Sequence, residues 1–273
     1  ESERGVVYSE RRLRVEDDNT GFLAEQVQST AFAAHPYHMP TIGWPSDIEG
    51  WTLADLQTFY KTYYAPNNCT FVIVGDVDAD QVFALAQKYL APIPRQAPPP
   101  AVRTVEPVQP GEKRVTVVRR AQTPLLQLAY KAPKADDPRN VALNLLAVIL
   151  AQGDASRLHR LLVEQKKLAV NVDVYLQEGF DPGLFWLYVT LPADGDPAAV
   201  ERAIDGEFAR LTEGGVTDAE LSRARNLLSA AYWGQLATIN GKARLLGEYE
   251  VMHGDYRRLF DLPAQMTRVT RDD

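Results

Sequence analysis

The chain has 273 residues, and its 29 Lys and Arg against 36 Asp and Glu give a formal net charge of −7. Hydrophobic residues make up 45% and charged residues 24%, which is typical of a globular protein and excludes a wholly disordered chain. No run of about 18 apolar residues occurs, so we predict no membrane span. The acidic balance argues against a nucleic-acid partner. The single cysteine, Cys69, excludes an internal disulfide and a cysteine-based zinc cluster within one chain.

The first segment is predicted to contain a helix, a long loop, a second helix, a strand and a third helix. Residues 2–16 have helical composition, whereas three prolines and a glycine exclude regular structure from residues 35–45. Thr52-Leu-Ala-Asp55 resembles a capping box and begins a helix. Thr70–Val74 is an apolar β-branched run that predicts a buried strand, and residues 80–90 follow as a helix. The chain opens in what reads as the middle of a helix, so we expect its natural N-terminus, with any targeting signal, to lie upstream.

A proline-rich stretch divides the chain. Seven of the 18 prolines lie between Pro92 and Pro110, and proline interrupts both helices and central strands. We therefore predict a semi-extended linker over residues 96–112. It separates a first domain, residues 1–95, from a second domain, residues 113–273, and both lengths are plausible for domains.

The second segment mixes strands and helices without strict alternation, so we assign the chain to the α+β class. Two features mark helix starts: Asp196-Pro197 supplies a cap and a first-turn proline, and Thr217-Asp-Ala-Glu220 is a full capping box. Strands are predicted at residues 114–119, 125–131, 169–177 and 184–191. Helices are predicted at residues 139–150, 155–166, 198–211, 218–236, 242–252 and 256–266.

Two glutamates on the first helix are the first candidate site residues. Glu3 and Glu10 are seven positions apart, which is two helical turns, so both carboxylates point to one side. Such a pair could bind a divalent metal ion, but alone the spacing more often marks a solvated surface. His35 and His38 stand three apart, and there a structural loop is favoured over a metal site because Pro36 keeps the segment extended.

The ordered motifs of the chain resemble the pitrilysin/insulinase family of zinc peptidases, which includes mitochondrial processing peptidase and many bacterial zinc proteases. The resemblance covers nearly the whole chain. It is carried by Glu3-Arg-Gly-Val-Val-Tyr-Ser-Glu10, His35-Pro-Tyr, Asp55-Leu followed by Tyr63-Tyr-Ala-Pro-Asn-Asn68, Val74-Gly-Asp76, and Lys88-Tyr89 with Ile93-Pro94.

The resemblance implies a fold and a site. The fold would be two similar α/β-sandwich domains, the first of them incomplete here. The active site would use an H-x-x-E-H helix whose histidines bind zinc and whose glutamate is the general base for zinc-bound water. By motif match Glu10 is the further zinc ligand, and Glu3 is a second acidic position that supports the catalytic site. The first helix would then lack its neighbour, so we expect Val6, Val7 and Leu13 to face solvent or another chain.

The sequence departs from the family pattern in three places. The H-x-x-E-H motif is absent, since the chain starts after the position where the family carries it. Val269–Asp273 echoes Trp51–Asp55 of the first domain and reads as the start of a helix that is cut short. Active members carry an Arg and a Tyr seven apart that bind the substrate backbone, and those positions hold Val163 and Val170.

These features together predict a fragment of a zinc metalloendopeptidase that hydrolyses unfolded peptides. The fragment itself is expected to be inactive and to hold little or no zinc, and the parent protein is expected to act with a homologous subunit or as a homodimer. The alternative is a non-catalytic member that serves as a substrate-binding or assembly subunit. A third interpretation is a binding module whose acidic helix face is merely solvated. The compartment stays open, with the periplasm expected for a bacterial member.

Overall fold

The computed structural model describes residues 2–273. They form two compact units that divide between Arg119 and Arg120. The fold is rich in helices, with a small antiparallel sheet in the second unit. This is the mixed class that the sequence predicts. Within the described residues, no helix has the length and apolar content needed to cross a bilayer.

The first unit is helical throughout its regular parts. A π-helical turn, Arg12–Glu16, continues the first helix. Two helices were not predicted from the sequence, α2 (Asn19–Ala31) and α3 (Pro45–Gly50). Helix α2 begins where the Asp18 carboxylate accepts the N–H groups of Thr20 and Gly21, which is standard N-capping. The helices are α1 Ser2–Arg11, α2 Asn19–Ala31, α3 Pro45–Gly50, α4 Leu53–Tyr63 and α5 Ala79–Tyr89.

The capping box before α4 is confirmed. The Thr52 N–H donates to Asp55 Oδ2 at 2.9 Å, and the Asp55 N–H donates to Thr52 Oγ1 at 3.2 Å. The bond from the Thr52 side chain holds the pKa of Asp55 below its usual range. Two otherwise unpaired N–H groups are thereby satisfied at the start of the helix.

Two strand predictions are wrong. Thr70–Val74 and residues 114–119 form no strand, and the predicted burial of the first run fails because Phe71 and Ile73 are exposed. The physical reason is that a strand needs the backbone of a neighbour, and no described strand lies beside either run. An apolar, β-branched composition alone does not supply that partner.

The segment after the prolines folds back onto α2. The Glu106 carboxylate accepts the N–H groups of Ala33, Ala34 and His35 at 2.7, 2.9 and 2.9 Å. Lys113 donates to the carbonyl of Thr30 at 2.8 Å. We call residues 106–119 the strap. Its charged side chains bond the backbone at and after the C-terminal end of α2, where peptide groups lack helical partners.

The second unit combines the sheet with its own helices. The sheet order is β1-β3-β2 with both pairs antiparallel, and Leu187 on the central strand lies opposite Leu128 and Val174. A π-helical segment, His159–Gln165, precedes β2. The elements are β1 Leu125–Lys131, α6 Asn140–Ala151, β2 Asn171–Gln177, β3 Leu184–Thr190, α7 Pro197–Gly214, α8 Asp218–Leu236, α9 Ile239–His253 and α10 Leu262–Arg268.

One face of the sheet forms the main core. Alternate strand residues share a face, and Phe185, Leu187 and Val189 of β3 are buried together with Val172 of β2. Leu150 near the end of α6 belongs to the same cluster. A second cluster joins α6 to α8. The apolar character of α6 is thereby explained, since the helix contributes to two cores.

The helical arrangement of the first unit recurs in the second. Helices α1, α2 and α3 and the Thr52 cap have counterparts in α8, α9, α10 and Thr270. Ile48 and Met266 lie 218 positions apart and are both buried. Thr270 donates from N and Oγ1 to Asp273 Oδ2 at 2.7 and 2.8 Å, as Thr52 does to Asp55. The predicted echo between the two segments is confirmed.

Candidate functional site

The two candidate glutamates lie on α1. Glu3 is exposed, and Glu10 keeps 41% of its side chain accessible while its Oε1 pairs with Arg14 Nη2 at 2.9 Å. This is an ordinary pair one turn apart on a helix surface. A carboxylate in this position is available to a ligand once Arg14 turns away.

A buried ion pair fixes the orientation of α1. Arg11 and Glu25 retain only 4% and 5% side-chain exposure, and they are joined by two bonds of 2.8 and 3.0 Å. Arg11 also donates to the carbonyl of Gly43 at 2.9 Å and lies over the Trp44 ring. The bond to Glu25 raises the pKa of Arg11. Because successive helix residues differ by about 100°, inward anchoring of Arg11 leaves Glu10 on the outer side.

The first unit exposes several large apolar side chains. Val6 and Leu13 are exposed, which confirms the expectation for those two positions, and Val7 is half-buried. The exposed set also includes aromatic residues of two further helices, among them Phe59 and Phe83. An apolar surface of this kind is typical of an interaction site.

The paired histidines are structural. His35 is buried, and its Nδ1 accepts the Tyr37 N–H at 3.2 Å. Its ring packs edge-on against the Tyr37 ring at 4.4 Å. His38 Nδ1 bonds the His35 carbonyl at 2.8 Å. The motif forms a 3-10 turn, Pro36–His38, rather than the extended segment predicted from Pro36, and both rings bond the backbone of that turn.

Zinc requires about four ligands from His, Cys, Asp or Glu. Residues 2–273 bring no three such side chains together in a metal-binding arrangement. Glu10 is a single carboxylate that is already bonded to Arg14. The described residues therefore do not fit a zinc ion by themselves.

The two valines that replace the expected Arg and Tyr occupy different surroundings. Val163 lies in the π-helical segment and packs against the main core of the second unit. Val170 is exposed just before β2, and its N–H bonds the Thr190 carbonyl at 2.7 Å. Neither side chain can donate a hydrogen bond.

A groove in the second unit was not predicted from the sequence. It has a volume of about 1370 Å³ and runs between α6 and α9 at the end of β2. Its polar lining includes Asn140, Asn144, Glu178, Tyr249 and His253. Burial raises the pKa of Glu178, raises the pKa of Tyr249 to about 12 and lowers the pKa of His253. Three separate elements supply these residues, so no short sequence motif predicts that they come together.

Comparison with known proteins identifies the family. Residues 50–228 match the peptidase M16 inactive domain. The chain is 33% identical to zinc protease PqqE of Helicobacter pylori, over 99% of this chain and 63% of that protein. It is 28% identical to the uncharacterized zinc protease ML0855 of Mycobacterium leprae, over 99% of this chain and 61% of that protein. A crystal structure of a protease from Helicobacter pylori superposes with a TM-score of 0.94 at 29% identity, covering 99% of this chain and 66% of that one.

The chain belongs to the peptidase M16 family, in its inactive-domain branch. This confirms the predicted resemblance to the pitrilysin/insulinase peptidases. The chain spans about three fifths of the length of the curated relatives that it matches.

Proposed function

We propose that this chain is a fragment, inactive by itself, of a zinc metalloendopeptidase that cleaves unfolded peptides. The observation that carries the proposal is the M16 inactive-domain match over both units, together with relatives that are named zinc proteases along almost the whole chain. The matching order of helices in the two units supports an origin as two similar domains. On its own the chain would bind peptide and cleave none.

Glu10 would contribute one carboxylate to a zinc ion whose remaining ligands lie outside residues 1–273. Its accessibility on the outer side of α1 supports this role, and the buried pair of Arg11 and Glu25 would hold the helix in place. Glu3, two turns earlier on the same helix, would support the site electrostatically. Zinc, when bound, would activate water for attack on the peptide carbonyl.

Metal analysis and peptidase assays test the proposal. The 273-residue chain, dialysed after exposure to zinc, is expected to hold well under one equivalent and to leave a quenched fluorogenic peptide uncut. In the full-length protein, Glu10→Gln is expected to remove tight zinc and activity. Glu49→Gln, an exposed glutamate on α3, is the matched control. Full activity of the full-length Glu10→Gln variant would overturn the assignment of Glu10.

The second candidate is a subunit of an M16 assembly that never cleaves peptides. The replacement of both expected donors by Val163 and Val170 favours it. The two candidates differ in the gene upstream of residue 1, where an intact H-x-x-E-H favours the peptidase and its absence favours the subunit. They also differ in whether the purified full-length protein carries one zinc per chain.

A further inference from the structure

The groove of the second unit has two facing walls. On α6, Asn140 and Asn144 are one turn apart and so share a face. On α9, Leu245, Tyr249 and His253 repeat at the same spacing. All five residues line the groove, and Glu178 at the end of β2 lies between the two walls.

Glu178 is a carboxylate without a positive partner among residues 2–273. Its one hydrogen bond is from the Asn144 amide at 2.9 Å, and its electrostatic neighbour is a second carboxylate, Glu248. Glu248 is paired with Arg244 at 2.7 Å. A half-buried carboxylate that faces another carboxylate gains most from a cation brought by a ligand.

Asn140 supplies an independent sign of a missing donor. Only 4% of this residue is exposed, and its side-chain N–H groups bond the carbonyls of Lys134 and Ala135. Its Oδ1 has no donor among the described residues, although it is buried against the groove. The same is true of Oδ1 of Asp136 at the groove edge. Buried acceptors in proteins normally have a hydrogen-bond donor, so we expect a ligand to supply donors to these two oxygens.

Three of the arginines along the groove are already engaged. Arg139 bonds Asp137 at 2.7 Å, Arg258 bonds the His253 carbonyl at 3.2 Å, and Arg271 bonds the Val216 carbonyl at 2.7 Å. Arg268, which also lines the groove, is exposed and forms no hydrogen bond or ion pair with the described residues. At Glu178 and at the Asn140 oxygen, however, the groups that lack partners are acceptors, which favour positive charge and N–H donors.

We infer that this groove binds the positively charged side chain of an extended peptide, an arginine or a lysine, with Glu178 as the main charge partner. The inference rests on the proposed function only in taking the ligand to be a peptide. A guanidinium carries five N–H donors, enough to bond the Glu178 carboxylate and to leave others for further acceptors of the groove. The apolar floor, including Leu176 and Leu245, would pack against the side-chain stem.

Binding of a labelled peptide tests the inference without any cleavage step. The probe is an acetylated, amidated dodecapeptide of Gly, Ser and Ala with one central arginine, measured by fluorescence anisotropy on the 273-residue chain. The comparison peptide has citrulline, which keeps the shape but loses the charge. The arginine peptide is expected to bind about tenfold more tightly or better, since hydrogen bonds to charged groups are the stronger ones.

Variants assign the effect to the groove. Glu178→Gln should reduce the affinity for the arginine peptide to that for the citrulline peptide, and Glu248→Gln should reduce it by a smaller factor. Glu213→Gln, an exposed glutamate on α7, should change neither affinity. If Glu178→Gln fails to fold, Glu248→Gln still decides the question. A citrulline peptide with a free N-terminus distinguishes a side-chain site from one for the terminal ammonium group.

Equal affinity of the wild type for the arginine and citrulline peptides would overturn the inference and leave the proposed function standing. The same holds if both groove variants bind the arginine peptide as the wild type does. Conversely, the arginine peptide could bind selectively while the full-length protein holds no zinc. That result would support the inferred cation site in the groove and contradict the proposed peptidase function.

Discussion

At the residue scale, the best-bonded charged pair of the second unit joins Arg157 to Glu220. Arg157 donates to the two carboxylate oxygens at 2.6 and 2.8 Å and to the Gly215 carbonyl at 2.9 Å. Glu220 also accepts the Thr217 N–H at 2.8 Å and so completes the capping box of α8. The carboxylate thus serves a helix start and an ion pair at once. The bond from Arg157 lowers the pKa of Glu220 to about 2.

Glu220→Gln is therefore expected to lower the free energy of unfolding by about 1–2 kcal/mol near pH 7. The folded-state pKa lies below the unfolded one, which is about 4.3. The contribution is thus present above the unfolded pKa and is lost as the pH falls towards 2. Urea unfolding at pH 7 and at pH 2.5 should show a difference between variant and wild type that shrinks with acid. A difference of equal size at both pH values would contradict the assignment, and Glu213→Gln is the control.

The buried pair of Arg11 and Glu25 should respond more strongly. Glu25→Gln leaves the buried Arg11 charge with only the Glu16 carboxylate, 3.4 Å away and partly exposed, which is expected to cost about 3 kcal/mol. Replacing both residues together, Arg11→Met with Glu25→Leu, should cost much less because no charge stays buried. Hydrogen exchange of the α2 amides measures the effect. Equal loss of protection in the single and double variants would show that packing, not charge, holds the helices.

At the scale of the element, the strap makes a separate prediction. Glu106→Gln replaces two acceptor oxygens by one, although Glu106 serves three N–H groups. Exchange of the amides of residues 33–35 is expected to accelerate about tenfold, which corresponds to the loss of roughly one hydrogen bond. Glu112→Gln is the matched control, because Glu112 contacts Arg114 on its own segment. Unchanged protection in Glu106→Gln would mean that the strap is held by other contacts.

Local signals predicted local structure well. The capping boxes at Thr52 and Thr217 are confirmed because each depends on residues only three apart. Strand β1 formed as predicted, whereas Thr70–Val74 did not, since strand pairing depends on a partner distant in sequence. The groove of the second unit escaped prediction for the same reason. Glu178, Asn144 and Tyr249 become neighbours only through the packing of separate elements.

At the scale of the whole molecule, the two units share an order of helices but differ in the side chains at the candidate site positions. The shared order of helices extends to the capping residues Thr52 and Thr270. The side chains at the candidate site positions differ between the units. Glu10 on α1 is polar and accessible. The position 218 residues later is Leu228, which packs against the core between α6 and α8. A polar position in one unit is thus part of an apolar core in the other.

This asymmetry leads to a prediction for the assembled enzyme: full activity should need a homologous subunit. The oxyanion formed during peptide hydrolysis is stabilised by positioned donors, and the loss of one donor typically costs about 10²–10³ in rate. Val163 and Val170 offer none, and a second copy of this chain would carry the same valines, so we expect the proposed peptidase to obtain that stabilisation from a homologous but different subunit in a heterodimer. Peptidase activity of the full-length protein, alone and with the product of a neighbouring gene of the same family, is the measurement.

The expected result is a rate increase of at least about a hundredfold on mixing. The increase should vanish when this chain carries Glu10→Gln and survive when it carries Glu49→Gln, because the metal carboxylate is assigned to this chain and the donors to its partner. Size-exclusion chromatography should show the two subunits eluting together in both variants, which separates loss of chemistry from loss of assembly. Equal activity of the single protein and the mixture would rule out a division of labour between subunits. The stabilising donors would then have to come from residues of this protein other than Val163 and Val170.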